Sequence, residues 1–307
     1  MKSIYTAFLT LMFAVGIAAA DSPKSSDDFW DGDKDAHFGN IFNWQHGMHS
    51  LFSNQVPYIE VGYGFAKSSI HEDAFAGNIS DAGLVSLKFG HKQIRTKNKE
   101  IGICSIHDNY IFLERMDKEL YKKESSTTKI DASIWGGGLG WRNGFGYKIA
   151  TDGYLVFTHA DEFSWSRTDF KNKQNLPQFD AASREYLDVL ADGIRFGNAF
   201  EAGIELQPIK NLSLNFAFRR EAIMPRMMFW YWCLNYGIEQ AGQGIVSSFT
   251  HEIMKNSPSV APVIHFVLSN AMAYGMYELR KKNMNWPTTT VPAFVIDNYK
   301  LGLSFNF

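Results

Sequence analysis

The side chains able to do acid–base or nucleophilic work are few and scattered. His251 and Glu252 are adjacent, His159 stands two places before Asp161, and His107 precedes Asp108. Ser247 and Ser248 lie about one helical turn before His251. On a helix a hydroxyl and an imidazole at that spacing share a face, the minimum needed to activate a serine. The same spacing is common on any solvated helix face, so no catalytic residue is assigned. Asp27, Asp28, Asp31, Asp33 and Asp35 offer the oxygens calcium takes, without the spacing and closing glutamate of an EF-hand loop. His37, His46 and His49 have no zinc spacing. No metal site and no cofactor is expected, and neither a P-loop nor a dinucleotide fingerprint is present. Cations gather at Arg219, Arg220 and Arg226, and again at Arg280, Lys281 and Lys282. Guanidinium forks suit anionic phosphate; the plainer reading is a set of charges that snorkel at a rim.

The elements that must carry these groups are read from composition and periodicity. The chain has 307 residues, 20% charged and 15% aromatic, with a formal net charge of -2. Nothing in that balance asks for nucleic acid. Mean hydropathy is -0.21, too polar for a bundle of membrane helices. Near-neutral hydropathy with many aromatics suits a membrane barrel, whose strands face lipid on one side and a polar interior on the other. Residues 1–20 have the layout of a cleaved secretory signal peptide: a basic start at Lys2, an apolar run from Ile4 to Ile17, then Ala18, Ala19 and Ala20 before Asp21. Residues 21–56 read as a polar, Asp-rich leader. Cys104 and Cys233 would be able to pair in an oxidising compartment, but two cysteines define no pattern.

The C-terminus carries the strongest pattern. Tyr299, Leu301, Leu303, Phe305 and Phe307 fall on one face, while Asn298, Lys300, Gly302, Ser304 and Asn306 fall on the other. Strict alternation gives a strand with one apolar and one polar face. Phe200 to Leu206 and Leu212 to Phe218 alternate likewise around a short turn at Gln207 to Asn211.

In that final strand, ending on an aromatic residue, the sequence resembles bacterial outer-membrane β-barrel proteins. The resemblance covers directly about ten residues. It implies an outer-membrane location in a Gram-negative-type cell, and insertion machinery that reads Tyr299, Leu301, Leu303, Phe305 and Phe307. It says nothing of activity. The implied fold is an all-β transmembrane antiparallel barrel over 57–307, carrying an α-helical hairpin insertion at 222–290. Eight strands are expected, at 57–66, 82–94, 101–116, 129–141, 145–159, 197–207, 211–221 and 292–307. Arg142-Asn143-Gly144 is read as a tight turn, and glycines 136–138 as a bend or a crowded interior. If His107-Asp108-Asn109 is a turn as well, ten to twelve strands become the alternative. Short turns face the periplasm in such barrels, so Gln207 to Asn211 and both ends of the barrel should lie there.

A short helix is expected from Ala181 to Ile194. From Pro225 the period becomes helical. Gly237, Ala241, Gly244 and Ser248, with Ala271 and Gly275 on a second helix at 259–282, form small-residue stripes that let backbones approach closely. A tight antiparallel pair turning at Asn256-Ser257-Pro258 is therefore expected, packed on the barrel rim or on itself, with Trp230, Trp232 and Trp286 at the interface. Residues 258–277 are long enough to span a membrane, but such a segment would tend to be held in the inner membrane during export.

Three functions follow. The first is a structural or surface-binding barrel acting through its helical insertion, with outer-membrane lipid including lipopolysaccharide at the six cations. The second is a porin-like channel for a small solute, with the helices as lid or plug. The third is a lipid-modifying enzyme, a chemistry some outer-membrane barrels carry out with serine, histidine and acidic groups near the outer rim.

Overall fold

Alternation at period two persists through eight segments, and each becomes a strand. The computed structural model describes residues 55–75, 77–98, 101–121, 129–173 and 181–307. The expected signal peptide and acidic leader lie outside the described residues. The strands are β1 (Val56–Ile70), β2 (Ala82–Asn98), β3 (Ile103–Asp117), β4 (Asp131–Lys148), β5 (Tyr154–Lys171), β6 (Ile194–Ile209), β7 (Leu212–Ile223) and β8 (Phe294–Asn306). Each pairs antiparallel with its sequence neighbour, and β8 pairs with β1, so the sheet closes into a barrel without an edge.

Register fixes the barrel's shape. Following paired residues once round, from Pro57 through His91, Asn109, Trp141, Asp161, Phe200, Arg220 and Asp297, returns to β1 at Lys67, ten residues beyond the start. A closed sheet with such a stagger tilts its strands by roughly 35–45°. At one end the strands are joined by short links, 99–102, 149–153 and 210–211. Phe307 there donates its N–H to Pro57 O at 3.0 Å. The other end carries the long links 71–81, 118–130, 172–193 and 224–293.

The turn expected at Arg142-Asn143-Gly144 is not one. All three residues pair within the β3–β4–β5 ladders, and the chain reverses at 149–153. His107-Asp108-Asn109 likewise continues β3. Local turn propensity yields to ladders on both sides, and the count stays at eight. The glycine column of β4 lies beneath inward-facing aromatics. A Cβ at Gly138 would fall 2.9 Å from the Phe112 ring, and one at Gly140 would meet the Tyr110 ring. A crowded interior thus accounts for Gly138 and Gly140, whereas Gly137 faces outward beside Leu113.

Among the described residues three α-helices accompany the barrel: α1 (Ala181–Ala191), α2 (Phe229–Asn256) and α3 (Ala261–Lys282). Leu187 and Leu190 of α1 pack into the long-link mouth with Leu84, Met116, Ile134, Phe170, Phe294 and Ile296. Tyr186 donates its hydroxyl to Pro292 O at 2.8 Å, and burial holds that phenol well above the usual tyrosine pKa. The helical pair is expected on the rim or on itself; the two helices do pack on each other, and together they lie along the outer wall rather than on the rim. At its tip, Tyr147 near the end of β4 donates to Ser259 O at 2.6 Å, and Ile103 packs with Met254 and Ala261. At its base Phe200 packs on Tyr277, ring centroids 5.0 Å apart. α3 therefore climbs the wall from the short-link end to the long-link end, crossing β4, β5, β6 and β7.

Candidate functional site

Two polar assemblies stand out, one inside the wall and one outside it. Inside, the polar positions of each strand meet across the lumen. Lys88 Nζ donates to Glu201 at 2.9 Å and to Glu162 at 3.4 Å, and Lys300 also reaches Glu201. Arg219 bonds Glu162, and lies 3.3 Å from Glu114 and 2.9 Å from Glu221. Nearer the short-link end, Arg142 binds Asp108 at 2.6 Å and Glu205 at 3.3 Å, while Tyr58 donates to Asp108 at 2.9 Å. Lys92 pairs with Glu205 as well. Asn215 and Ser304 both donate to Glu60. All these charged groups are buried. A narrow barrel is filled by its own side chains, and here the filling is a cross-linked ionic lattice capped at the long-link mouth by the apolar cluster around α1.

Outside, β5 breaks the rule that outward positions are apolar. Phe157, Phe163 and Trp165 share the outward face with His159 and Asp161, whereas Thr158, Ala160 and Glu162 point inward. The hairpin covers this polar interruption. His159 Nδ1 donates to Asn270 Oδ1 of α3 at 2.9 Å, and its Nε2 lies 3.6 Å from Asp161. Beside them Arg280 spans the two helices, donating to Asn235 at 2.6 Å and Glu239 at 2.5 Å, over the Tyr277 ring. Gln243 donates to Ser269 O at 2.9 Å. The polar groups of the hairpin thus turn toward each other and toward the wall.

The candidate cations divide. Arg219 is buried in the lumen lattice and Arg280 in the hairpin seam, so neither stands at the rim as expected. Odd positions of β7 face inward, which takes Arg219 inside, and Arg280 falls on the buried face of α3. Arg220 faces out and is committed to Asp297 and Glu278. Arg226 and Lys282 are exposed and Lys281 is half-buried, all near the long-link end. The small-residue stripe also falls elsewhere. Space within 4 Å of a Cβ at Gly237 or Gly244 is open, and Ala241, Ser248 and Ala271 are exposed; Gly275 is half-buried. The close approach occurs at Gly242, where a Cβ would lie 3.1 Å from Met272 Sδ. The polar residues, not the glycine spacing, decide which face turns inward.

The acid–base candidates come apart as well. His107 faces outward, donating to Asn143 at 2.5 Å, while Asp108 faces the lumen. Ser247 and Ser248 are exposed on α2 and His251 is half-buried. Trp230 is exposed near the long-link end, but Trp232 packs in the seam against Phe163 and Phe196. Trp286 is half-buried and its carbonyl accepts from Asn235. Cys104 and Cys233 are unpaired with each other. The terminal-strand residues Tyr299, Leu301, Leu303 and Phe305 point outward, with Phe307 exposed beyond them. The lumen network was legible only as polar alternation, and its pairings were not. His159 and Asp161 carried a readable sign, charge on an otherwise aromatic face.

No family model matches the sequence, and no curated protein matches it. Among solved structures the chain is similar to Neisserial surface protein A, at 11% identity and a TM-score of 0.35, covering 82% of this chain and 97% of the other. It is also similar to Ail, the attachment invasion locus protein of Yersinia pestis, at 9% identity and a TM-score of 0.30, over 83% and 99% of the two chains. A major outer membrane protein from Thermus thermophilus follows at 9% identity and a TM-score of 0.25, over 82% and 99%. The likeness is one of outline alone.

Proposed function

We propose that the chain is a non-conducting barrel of a bacterial outer membrane with a structural and surface-binding role. The observation that carries this reading is the contrast between its two faces. Outward positions such as Val61, Tyr63, Phe65, Ile111, Leu113, Leu301 and Phe305 are exposed and apolar. That belt is what hydrocarbon requires of a barrel wall, and an edgeless sheet leaves no strand backbone unpaired within it. The lumen is closed by ion pairs and by the α1 plug, so a porin-like role has no passage to use. In this reading the short-link end is periplasmic, and the terminal strand is the segment the insertion machinery engages. Arg226, Lys281 and Lys282 remain at the outer rim to meet lipopolysaccharide phosphates. The helical insertion serves from the side of the barrel rather than as an arm above it.

The test is reconstitution of the purified chain into planar bilayers. No discrete conductance steps are expected across salt and voltage. Steady unitary channels would overturn the sealed barrel and restore the transport reading.

A further inference from the structure

We infer that the α2–α3 hairpin lies within the bilayer, crossing it beside the barrel with its outward face against lipid hydrocarbon. This rests on the membrane reading above and extends it to an element that no membrane-helix criterion selects. Taken singly, no described helix is long and apolar enough to cross a membrane.

The hairpin has the height. Its tip is fixed at the short-link end by Tyr147 and Ile103, and its base toward the long-link end by Phe200 and Arg220. It therefore runs alongside the same wall that carries the apolar belt. It also has the right surface. On α3 the exposed residues form one stripe: Val260, Val263, Val267, Ala271 and Tyr274, then Glu278 and Lys282. On α2 the exposed residues from Phe229 to Phe249 include no charge, and Glu252 and Lys255 follow at the tip. Charge on the exposed face is thus confined to the two ends. At 1.5 Å per residue, Val260 to Tyr274 spans about 21 Å and Tyr231 to Phe249 about 27 Å, bracketing the roughly 25 Å apolar band of such barrels.

The polar content that hides these helices from a hydropathy scan is on the other face. Glu239, Asn235 and Arg280 are buried and paired with one another, and the buried Ser269 hydroxyl lies 3.5 Å from His265 Nε2. Asn270 is spent on His159, an outward barrel residue that would otherwise meet hydrocarbon beside Asp161. A polar group in lipid is tolerated when protein satisfies it. The wall and the hairpin supply this to each other. A pair resting in water would have no reason to show an uncharged exposed stripe continuous with the belt.

Single cysteines for spin labelling would be placed at Val263, Val267 and Ala241, at Lys255 and Lys282, and at the barrel positions Leu113 and Leu301, with Cys104 and Cys233 replaced by serine. In phosphatidylcholine–phosphatidylglycerol vesicles, power-saturation measurements compare collisions with oxygen, which partitions into lipid, and with a water-soluble nickel chelate. Oxygen is expected to dominate at Val263, Val267 and Ala241 as it does at Leu113 and Leu301, with the nickel complex dominating at Lys255 and Lys282. Nickel access along the hairpin, with oxygen still dominant on the barrel, overturns this inference alone. Nickel access at Leu113 and Leu301 as well overturns the membrane reading beneath it.

Discussion

Arg142 shows how a single side chain holds this barrel shut. Its sequence context, before Asn143-Gly144, reads as a turn, yet strand alternation sends the guanidinium into the lumen between Asp108 and Glu205. Taking a charge into a low-dielectric interior is costly, and the pair repays that cost only while both partners are present. Arg142→Met keeps the volume, removes the arginine partner of Asp108 and leaves Glu205 to Lys92 alone. It should lower stability by about 3–5 kcal/mol, read as an earlier urea midpoint by tryptophan fluorescence in detergent micelles. Adding Asp108→Asn should recover part of the loss, the signature of a direct pair in a double-mutant cycle. An unchanged midpoint for Arg142→Met would mean the lattice is not formed. Lys282 is the contrast. It lies 3.9 Å from Asp73 and both side chains are well exposed, so Lys282→Ala should fall within about 0.5 kcal/mol of the parent.

At the scale of elements, barrel and hairpin differ in what they need from each other. All eight ladders close without help from a helix. Replacing residues 229–282 by a short Gly-Ser linker between Met228 and Asn283 should leave the strand circular-dichroism spectrum and lower the melting temperature, because the wall at His159 and Asp161 loses its cover. Adding His159→Leu and Asp161→Leu to the deletion should raise the melting temperature again, since those residues would then match the belt. Loss of strand signal on deletion alone would instead make the hairpin part of the folding core. The same difference explains what the sequence disclosed. Strands with one polar and one apolar face, such as β6, β7 and β8, were legible because period two survives in single-strand windows. The ends of β4 and β5 were not, because the ladder continues through Arg142-Asn143-Gly144. The hairpin's existence and its turn were legible from the change of period at Pro225 and from Pro258. Its inward face was misjudged. Gly237 and Gly244 offered a familiar stripe, while the determining contacts, Asn270 to His159 and Arg280 to Glu239, join residues 111 and 41 positions apart.

For the whole molecule, the hairpin's path bears on what would cross the membrane under the proposed placement. β7 ends at the long-link end, α2 returns to the short-link end, and α3 climbs back to β8. With the short-link end periplasmic, as proposed, the polar tip with Glu252, Lys255, Asn256 and Ser257 would end on the periplasmic side. Under that orientation the long links at the far end would translocate, and the tip would stay on the side of the terminal strand. This arrangement predicts a specific proximity in native membranes. In a chain with Cys104 and Cys233 replaced by serine, Ile103→Cys with Met254→Cys should be joined by a short bifunctional maleimide, because the two parent side chains share one apolar cluster. Val61→Cys with Leu303→Cys, directly opposed across the β1–β8 seam, reports barrel closure independently. Cross-linking at both pairs places the tip at the short-link end of a closed barrel. Cross-linking at the seam but not at the tip would show a closed barrel whose hairpin stands away from the wall, and would remove the shielding assigned to His159 and Asp161.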